Sequence, residues 1–269
     1  MGTTAGNECY GDVLFAASCA SESERLEGLA RAFDPASRQD LLALGLNAGW
    51  TCLDVGAGTG SLGGWLASVT ETADQVTAVD RDSRFLGPLA AQGVNVIEAD
   101  IADPDFHPGQ FDLVHARFVL MHLRERNGLL PRLASWVKPG GLLVVSDSLA
   151  VGGETSPHGP YRDTVTALWR MLAEEIGTDR HCAGQYPQVF TGLGLRDIGM
   201  RAHLPVAGLE AGFTRFLTLT LQQAKPRLLA AGLPAATYDQ ALLHLEHPLS
   251  RELFFAMVTC WGRTSAIRR

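Results

Sequence analysis

The stretch Leu53-Asp54-Val55-Gly56-Ala57-Gly58-Thr59-Gly60-Ser61-Leu62-Gly63 ends a short apolar run in a carboxylate and then supplies three alternate glycines. Residues 62–69 follow with apolar side chains at helical spacing. Side-chain-free residues let a backbone turn sharply and approach a ligand closely, so this is a strand, a ligand-holding loop and a helix: a βα unit opening a parallel sheet.

The same alternation repeats outward. Short apolar strands are expected at 52–55, 75–79, 94–97, 111–115 and 142–146, with helices near 82–90 and 125–137. Runs this apolar imply a sheet covered on both faces. Upstream, Leu26, Leu29, Ala30 and Phe33 mark a helix over 22–33, and Asp34-Pro35 offers an N-cap and first-turn proline for a second helix stopped near Gly45. Downstream, 161–176 is helical, with Val165, Leu168, Trp169 and Leu172 on one face. A strand at 195–204, helices within 208–247 and a strand at 253–261 follow. The fold class expected is α/β: a Rossmann-like, seven-stranded, mostly parallel sheet with an antiparallel terminal strand pair, helices on both faces and helical cap insertions. Residues 1–269 form one domain: an N-terminal helical segment 1–46, a core 47–149, caps at 150–192 and 208–250, and the final strand pair at 193–207 and 251–265.

The 269 residues are 46% hydrophobic and 19% charged, which excludes disordered and fibrous classes. A net charge of -7 with no basic run argues against a nucleic-acid partner. Five cysteines, widely spaced and without a CxxC pair, suit a reducing cytoplasm rather than a disulfide framework or a thiolate zinc site. No apolar run approaches a bilayer span, and MGTTAGNECYGD has acidic residues where a signal peptide carries basic ones, so a cytoplasmic protein without membrane contact is expected. Only Lys138 and Lys225 are lysine among 22 basic residues, a skew that fits a GC-rich bacterial genome.

Two ligands suit such a glycine loop. Gly58-Thr59-Gly60-Ser61-Leu62-Gly63 satisfies the dinucleotide pattern GxGxxG, but Asp54 at the strand end would face a pyrophosphate, and a ligand with a positive amino group fits better. Asp80, closing the second strand with Arg81 beside it, stands where a carboxylate accepts ribose hydroxyls in either case.

Asp54, Gly56, Gly58 and Gly60 together resemble the first motif of the class I S-adenosylmethionine-dependent methyltransferases, an acidic residue followed by GxGxG. Asp100-Ile101 matches the position that meets the adenine amino group and packs on its ring. Phe111-Asp112-Leu113-Val114-His115-Ala116-Arg117 resembles the fourth motif, and Val137-Lys138-Pro139-Gly140-Gly141 the turn into the fifth strand. The resemblance covers about residues 40–147, and more weakly Cys260 to Arg263. It implies S-adenosyl-L-methionine as cofactor, S-adenosyl-L-homocysteine as product, and Asp54, Gly56, Gly58, Gly60, Asp80, Arg81, Asp100, Ile101, Ala116 and Arg117 as cofactor-binding.

His122, after the fourth strand, is the candidate proton acceptor, against a bracing role. Arg117 is open between a cofactor carboxylate and an acidic neighbour of its own chain. Tyr10, Trp169, Tyr186, Phe213 and Phe216 are candidates for an aromatic or polyketide-sized substrate cavity. His244 and His247, one turn apart, lack a third ligand and are assigned to a solvated helix face; no metal is expected. The function implied is methyl transfer to oxygen, nitrogen or carbon of a small, secondary-metabolite acceptor, by a monomer or homodimer. Rivals are a cyclisation or rearrangement on the same fold, a nicotinamide-dependent reductase, and a non-catalytic binder of the cofactor.

Overall fold

The computed structural model describes residues 11, 14, 15 and 20–266. Its sheet has seven strands: β1 (Cys52–Val55), β2 (Val76–Asp80), β3 (Asn95–Glu98), β4 (Phe111–Arg117), β5 (Val137–Ala150), β6 (Arg196–His203) and β7 (Phe255–Arg263). The order is β3-β2-β1-β4-β5-β7-β6, and β7 runs antiparallel to both its neighbours. The helices are α1 (Glu22–Ala43), α2 (Ser61–Thr70), α3 (Gly87–Ala90), α4 (Arg126–Ser135), α5 (Gly159–Ile176), α6 (Tyr186–Gly192), α7 (Ala211–Ala230) and α8 (Ala235–Glu246).

Strand alternation sends successive side chains to two separate cores. Leu53, Val55, Val114, Ala116, Leu143 and Val145 enter one. Cys52, Leu113, Leu142 and Val144 enter the other, with Leu62 and Leu66 of α2. Each fully buried leucine contributes roughly 2 kcal/mol of apolar burial.

The helix expected near 82–90 is reduced to a 3-10 turn at Ser83–Phe85 and the short α3, and two further boundaries differ in ways the packing explains. α1 runs unbroken through Pro35, because Asp34 caps no second helix: its carboxylate accepts from Arg117 at 2.7 Å and Arg38 at 3.0 Å. An interior proline costs about 3 kcal/mol in an isolated helix, so tertiary packing carries α1. Its partner is α7, which lies so near that a Cβ on Gly28 would stand 2.9 Å from the Gly212 carbonyl oxygen. β5 begins at Val137 rather than 142, because Val137 pairs with Phe111 before a register shift leads to the Leu113–Leu142 pair. At its far end Ala150 pairs with Phe255. No helix among the described residues is long and apolar enough to cross a membrane.

Candidate functional site

A cavity of about 1130 Å³ opens at the carboxyl ends of β1, β2 and β4, where open parallel sheets hold ligands. At one end stands the glycine loop. Gly56, Gly58 and Gly60 all adopt left-handed backbone, φ 68, 57 and 77°, which side chains resist. Their surroundings nevertheless differ. A Cβ on Gly56 would lie 2.2 Å from a Val119 methyl, and one on Gly60 about 3.0 Å from Leu89, whereas one on Gly58 meets nothing within 4 Å. Gly56 and Gly60 therefore serve packing, and Gly58 keeps cavity space open.

Asp80, at the end of β2, ties this loop down. One carboxylate oxygen accepts from the Gly58 N–H at 2.9 Å and the other from the Asp82 N–H at 3.1 Å. Burial raises its pKa, and those N–H bonds oppose the rise. Asp80, Arg81, Asp100 and Ile101 all line the cavity. Asp100 folds its own loop by accepting from the Ala102 N–H at 2.8 Å.

Several expected residues lie elsewhere. Asp54 does not line the cavity; its carboxylate is buried in the sheet beside His115, 2.9 Å from Nδ1. Held by His115, it makes no direct contact with the cavity by which one cofactor could be told from another. Gly60 and Ala116 also lie outside the lining, Ala116 because its side chain points into the core. Arg117 does reach the cavity wall, but its guanidinium bonds Asp34 at 2.7 Å and Ser37 at 3.0 Å, the pairing within the chain that the sequence left open.

The other end of the cavity is aromatic. Trp169 and Phe216 line it as expected, joined by Phe254 and Phe255. Phe255 stacks on Phe33 at 5.6 Å and meets Phe118, Phe213 and Phe216 edge-on. Phe213 itself is fully buried behind this wall. Tyr186 is buried too, donating its hydroxyl to Asp147 at 2.5 Å; the short α6 turns it away from the cavity. Tyr10 falls outside the described residues.

The segment after β4 joins the two ends. Phe118 takes a left-handed backbone (φ 56°) that a bulky residue adopts only under constraint. Here the constraint is a 2.7 Å bond from its N–H to the Ser146 carbonyl, with its ring 5.0 Å from Phe33. Arg126 then ties Leu120, Met121 and Gly177 through their carbonyls. His122 lines the cavity with Nδ1 2.9 Å from the Thr178 hydroxyl. Burial, aided by the Arg25 and Arg126 charges, lowers its pKa to about 3. The imidazole is thus neutral at ordinary pH and a weak proton acceptor, which favours bracing over proton removal.

Sequence reasoning missed Glu22 and Arg25, a doubly hydrogen-bonded pair (both bonds 2.7 Å) in the cavity wall. Their i,i+3 spacing was the available signal. It also missed Ser148, near the end of β5, and Phe254 and Phe255, at the start of β7. Of the two histidines assigned to a solvated helix face, His247 is exposed, whereas His244 is half-buried, bonding Glu252 at 2.7 Å and stacking on His158 at 3.8 Å. Among the described residues no group of His, Cys, Asp and Glu side chains could hold a metal ion.

Residues 53–145 match a family model described as a methyltransferase domain. Methyltransferase str2 of Strobilurus tenacellus is 30% identical over 198 residues, covering 67% of this chain and 70% of that protein. Methyltransferase str3 of the same fungus is 38% identical over 96 residues, or 35% of this chain and 34% of that one, so this chain spans only about a third of str3. Among solved structures, phosphoethanolamine N-methyltransferase 2 of Haemonchus contortus, in complex with phosphomonomethylethanolamine and S-adenosylhomocysteine, superposes with a TM-score of 0.59. The identity is 16%, and the match covers 91% of this chain and 58% of that one. That likeness is one of fold.

Proposed function

Because the chain belongs to the class I S-adenosylmethionine-dependent methyltransferases, we propose that it methylates oxygen, nitrogen or carbon of a small, largely aromatic acceptor, of the kind found in secondary metabolism. One observation carries this reading: the glycine loop and the aromatic wall line a single cavity. The cavity, about 1130 Å³, is of the size small ligands occupy, and a chain of net charge -7 offers no basic field for a nucleic-acid acceptor.

The residues present fit the cofactor. Gly58 leaves space beside the loop that a side chain would fill, and the Asp80 carboxylate borders that space. When bound, S-adenosylmethionine supplies an electrophilic sulfonium methyl that departs from a neutral thioether, so no acid is required on the donor side. Asp80 accepts the ribose hydroxyls, and Ile101 packs on the adenine with Asp100 at its edge. Met121 and His122 shape the passage between donor and acceptor. The acceptor is held against the aromatic wall, where exclusion of water and a fixed attack direction supply most of the rate. We assign His122 to bracing this passage, and take the acceptor to lose its proton to solvent or to be acidic enough to react unaided.

Calorimetry with S-adenosylhomocysteine, followed by incubation with methyl-labelled S-adenosylmethionine and a panel of phenols, amines and β-dicarbonyl compounds, tests the proposal. Micromolar cofactor binding and label in an organic product are expected. A product of altered skeleton without label would favour cyclisation or rearrangement, and binding of NADH in place of the homocysteine would overturn the reading. Light scattering on the same sample decides between monomer and homodimer.

A further inference from the structure

Ser146 and Ser148 are two positions apart on β5 and point to the same face of the sheet, yet their hydroxyls fare differently. Ser146 faces Thr259 across the ladder, and the two hydroxyls bond at 2.9 Å. Ser148 faces Met257, whose thioether is at best a weak acceptor. Met257 already receives the Ser37 hydroxyl, at 4.0 Å, and Ser37 in turn accepts from Arg117. The Ser148 hydroxyl is fully buried and has no hydrogen-bond partner among the described residues. Ser148 is nevertheless one of the residues of the cavity wall. An orphaned buried hydroxyl is costly, and since this one belongs to the cavity wall, a bound ligand is the nearest candidate partner.

Its neighbours say what kind of ligand. Phe255 lies diagonally across the ladder from Ser148, on the same face, two residues before Met257. Trp169 stacks on Phe254 at 4.9 Å and stands edge-on to Phe255 at 6.3 Å, and all three line the same end of the cavity. Glu22 and Arg25, which line the same cavity, are engaged with each other, so this pair offers a net-charged acceptor little to pair with.

We propose that Ser148 is a specificity-determining contact of the acceptor site: its hydroxyl hydrogen-bonds the oxygen substituent of a flat, uncharged aromatic acceptor whose ring packs against Trp169, Phe254 and Phe255. This rests on the methyltransferase reading and narrows its acceptor class. Ser148 touches the acceptor but takes no proton in the reaction.

The test uses the full chain and two probes, 2-naphthol and naphthalene, titrated calorimetrically into wild type and Ser148→Ala after saturation with S-adenosylhomocysteine. Wild type should bind 2-naphthol about five- to tenfold tighter than naphthalene, and Ser148→Ala should erase that margin while leaving naphthalene affinity unchanged, the size expected for one buried hydrogen bond. Without probe, Ser148→Ala should melt at the same temperature as wild type or higher, because it deletes an unpaired polar group; a lower melting temperature would mark the hydroxyl as structural and overturn the proposal. Ser148→Cys, which keeps the shape with a weaker donor, should fall between the two. Equal 2-naphthol affinity in wild type and Ser148→Ala, or no 2-naphthol binding to the loaded wild type, would also overturn it. Failure of S-adenosylhomocysteine to bind in the first titration would instead sink the methyltransferase reading.

Discussion

Asp54 and His115 stand side by side in register on β1 and β4, with a carboxylate oxygen 2.9 Å from the imidazole Nδ1 and both side chains buried. The acidic residue that introduces the glycine loop is thus a cross-strand tie beneath the cavity. It fixes the strand from which the loop departs, and through that strand the position of Gly56 and Gly58.

Removing one member of this pair leaves the other buried and uncompensated. Asp54→Ala or His115→Ala should each destabilise the fold by about 3–5 kcal/mol. The double change Asp54→Leu/His115→Leu should recover much of that, and chemical denaturation of all three variants gives the comparison. A loss of cofactor affinity in Asp54→Ala without a loss of stability would return the carboxylate to the ligand.

Gly56 and Gly58 share a backbone conformation but should fail differently. Gly56→Ala drives a methyl into Val119, 2.2 Å away, and should lower the melting temperature. Gly58→Ala points into open space, so its stability cost is the left-handed backbone alone, about 1 kcal/mol. Gly58→Val, larger and β-branched, should nearly abolish S-adenosylhomocysteine binding with the circular dichroism spectrum preserved.

Asp80→Ala removes a proposed ribose acceptor and at the same time frees the Gly58 N–H bonded to it at 2.9 Å. Cofactor affinity should fall by about 1–3 kcal/mol. Asp80→Asn, which retains one acceptor oxygen for the loop, should lose less. Calorimetry on both variants distinguishes ribose contact from loop positioning alone, for which Asn would behave as wild type.

Two groups, the buried Asp147 and the half-buried His122, should make stability depend on pH in opposite directions. Burial lifts the Asp147 carboxyl from 3.8 to about 7. The folded chain there keeps a proton the unfolded chain releases, so this group's contribution falls as pH rises through that window. His122, lowered from 6.5 to about 3, refuses a proton that the unfolded chain accepts, so its contribution rises with pH over 3 to 6.5. Wild type should therefore show partial cancellation. From about pH 4 to pH 7, Asp147→Asn should tilt the melting-temperature curve upward with pH, and His122→Gln should tilt it downward, relative to wild type. The turnover of wild type should show no inflection at the ordinary histidine pKa, and one there would restore His122 as proton acceptor.

The strands, their order along the chain and the glycine loop were legible because they are local: alternating apolar residues, a change of period and a run of glycines are decided by neighbours within a few positions. So was the place of Asp80, at the end of β2, and of Asp100 and Ile101, just after β3, in the cavity wall. What the chain alone did not decide depends on pairs far apart in sequence. Pro35 reads as a helix boundary until Arg117 and α7 hold Asp34 inside α1. Asp54 reads as a ligand group until β4 brings His115 beside it, and Tyr186 as a cavity aromatic until α6 turns it onto Asp147. Ser148 is one of two serines around Asp147 until the ladder sets it opposite Met257 rather than a second hydroxyl. A pattern of residue types specifies which faces are buried, whereas the partner of a buried polar group is fixed only when strands from distant parts of the chain come into register.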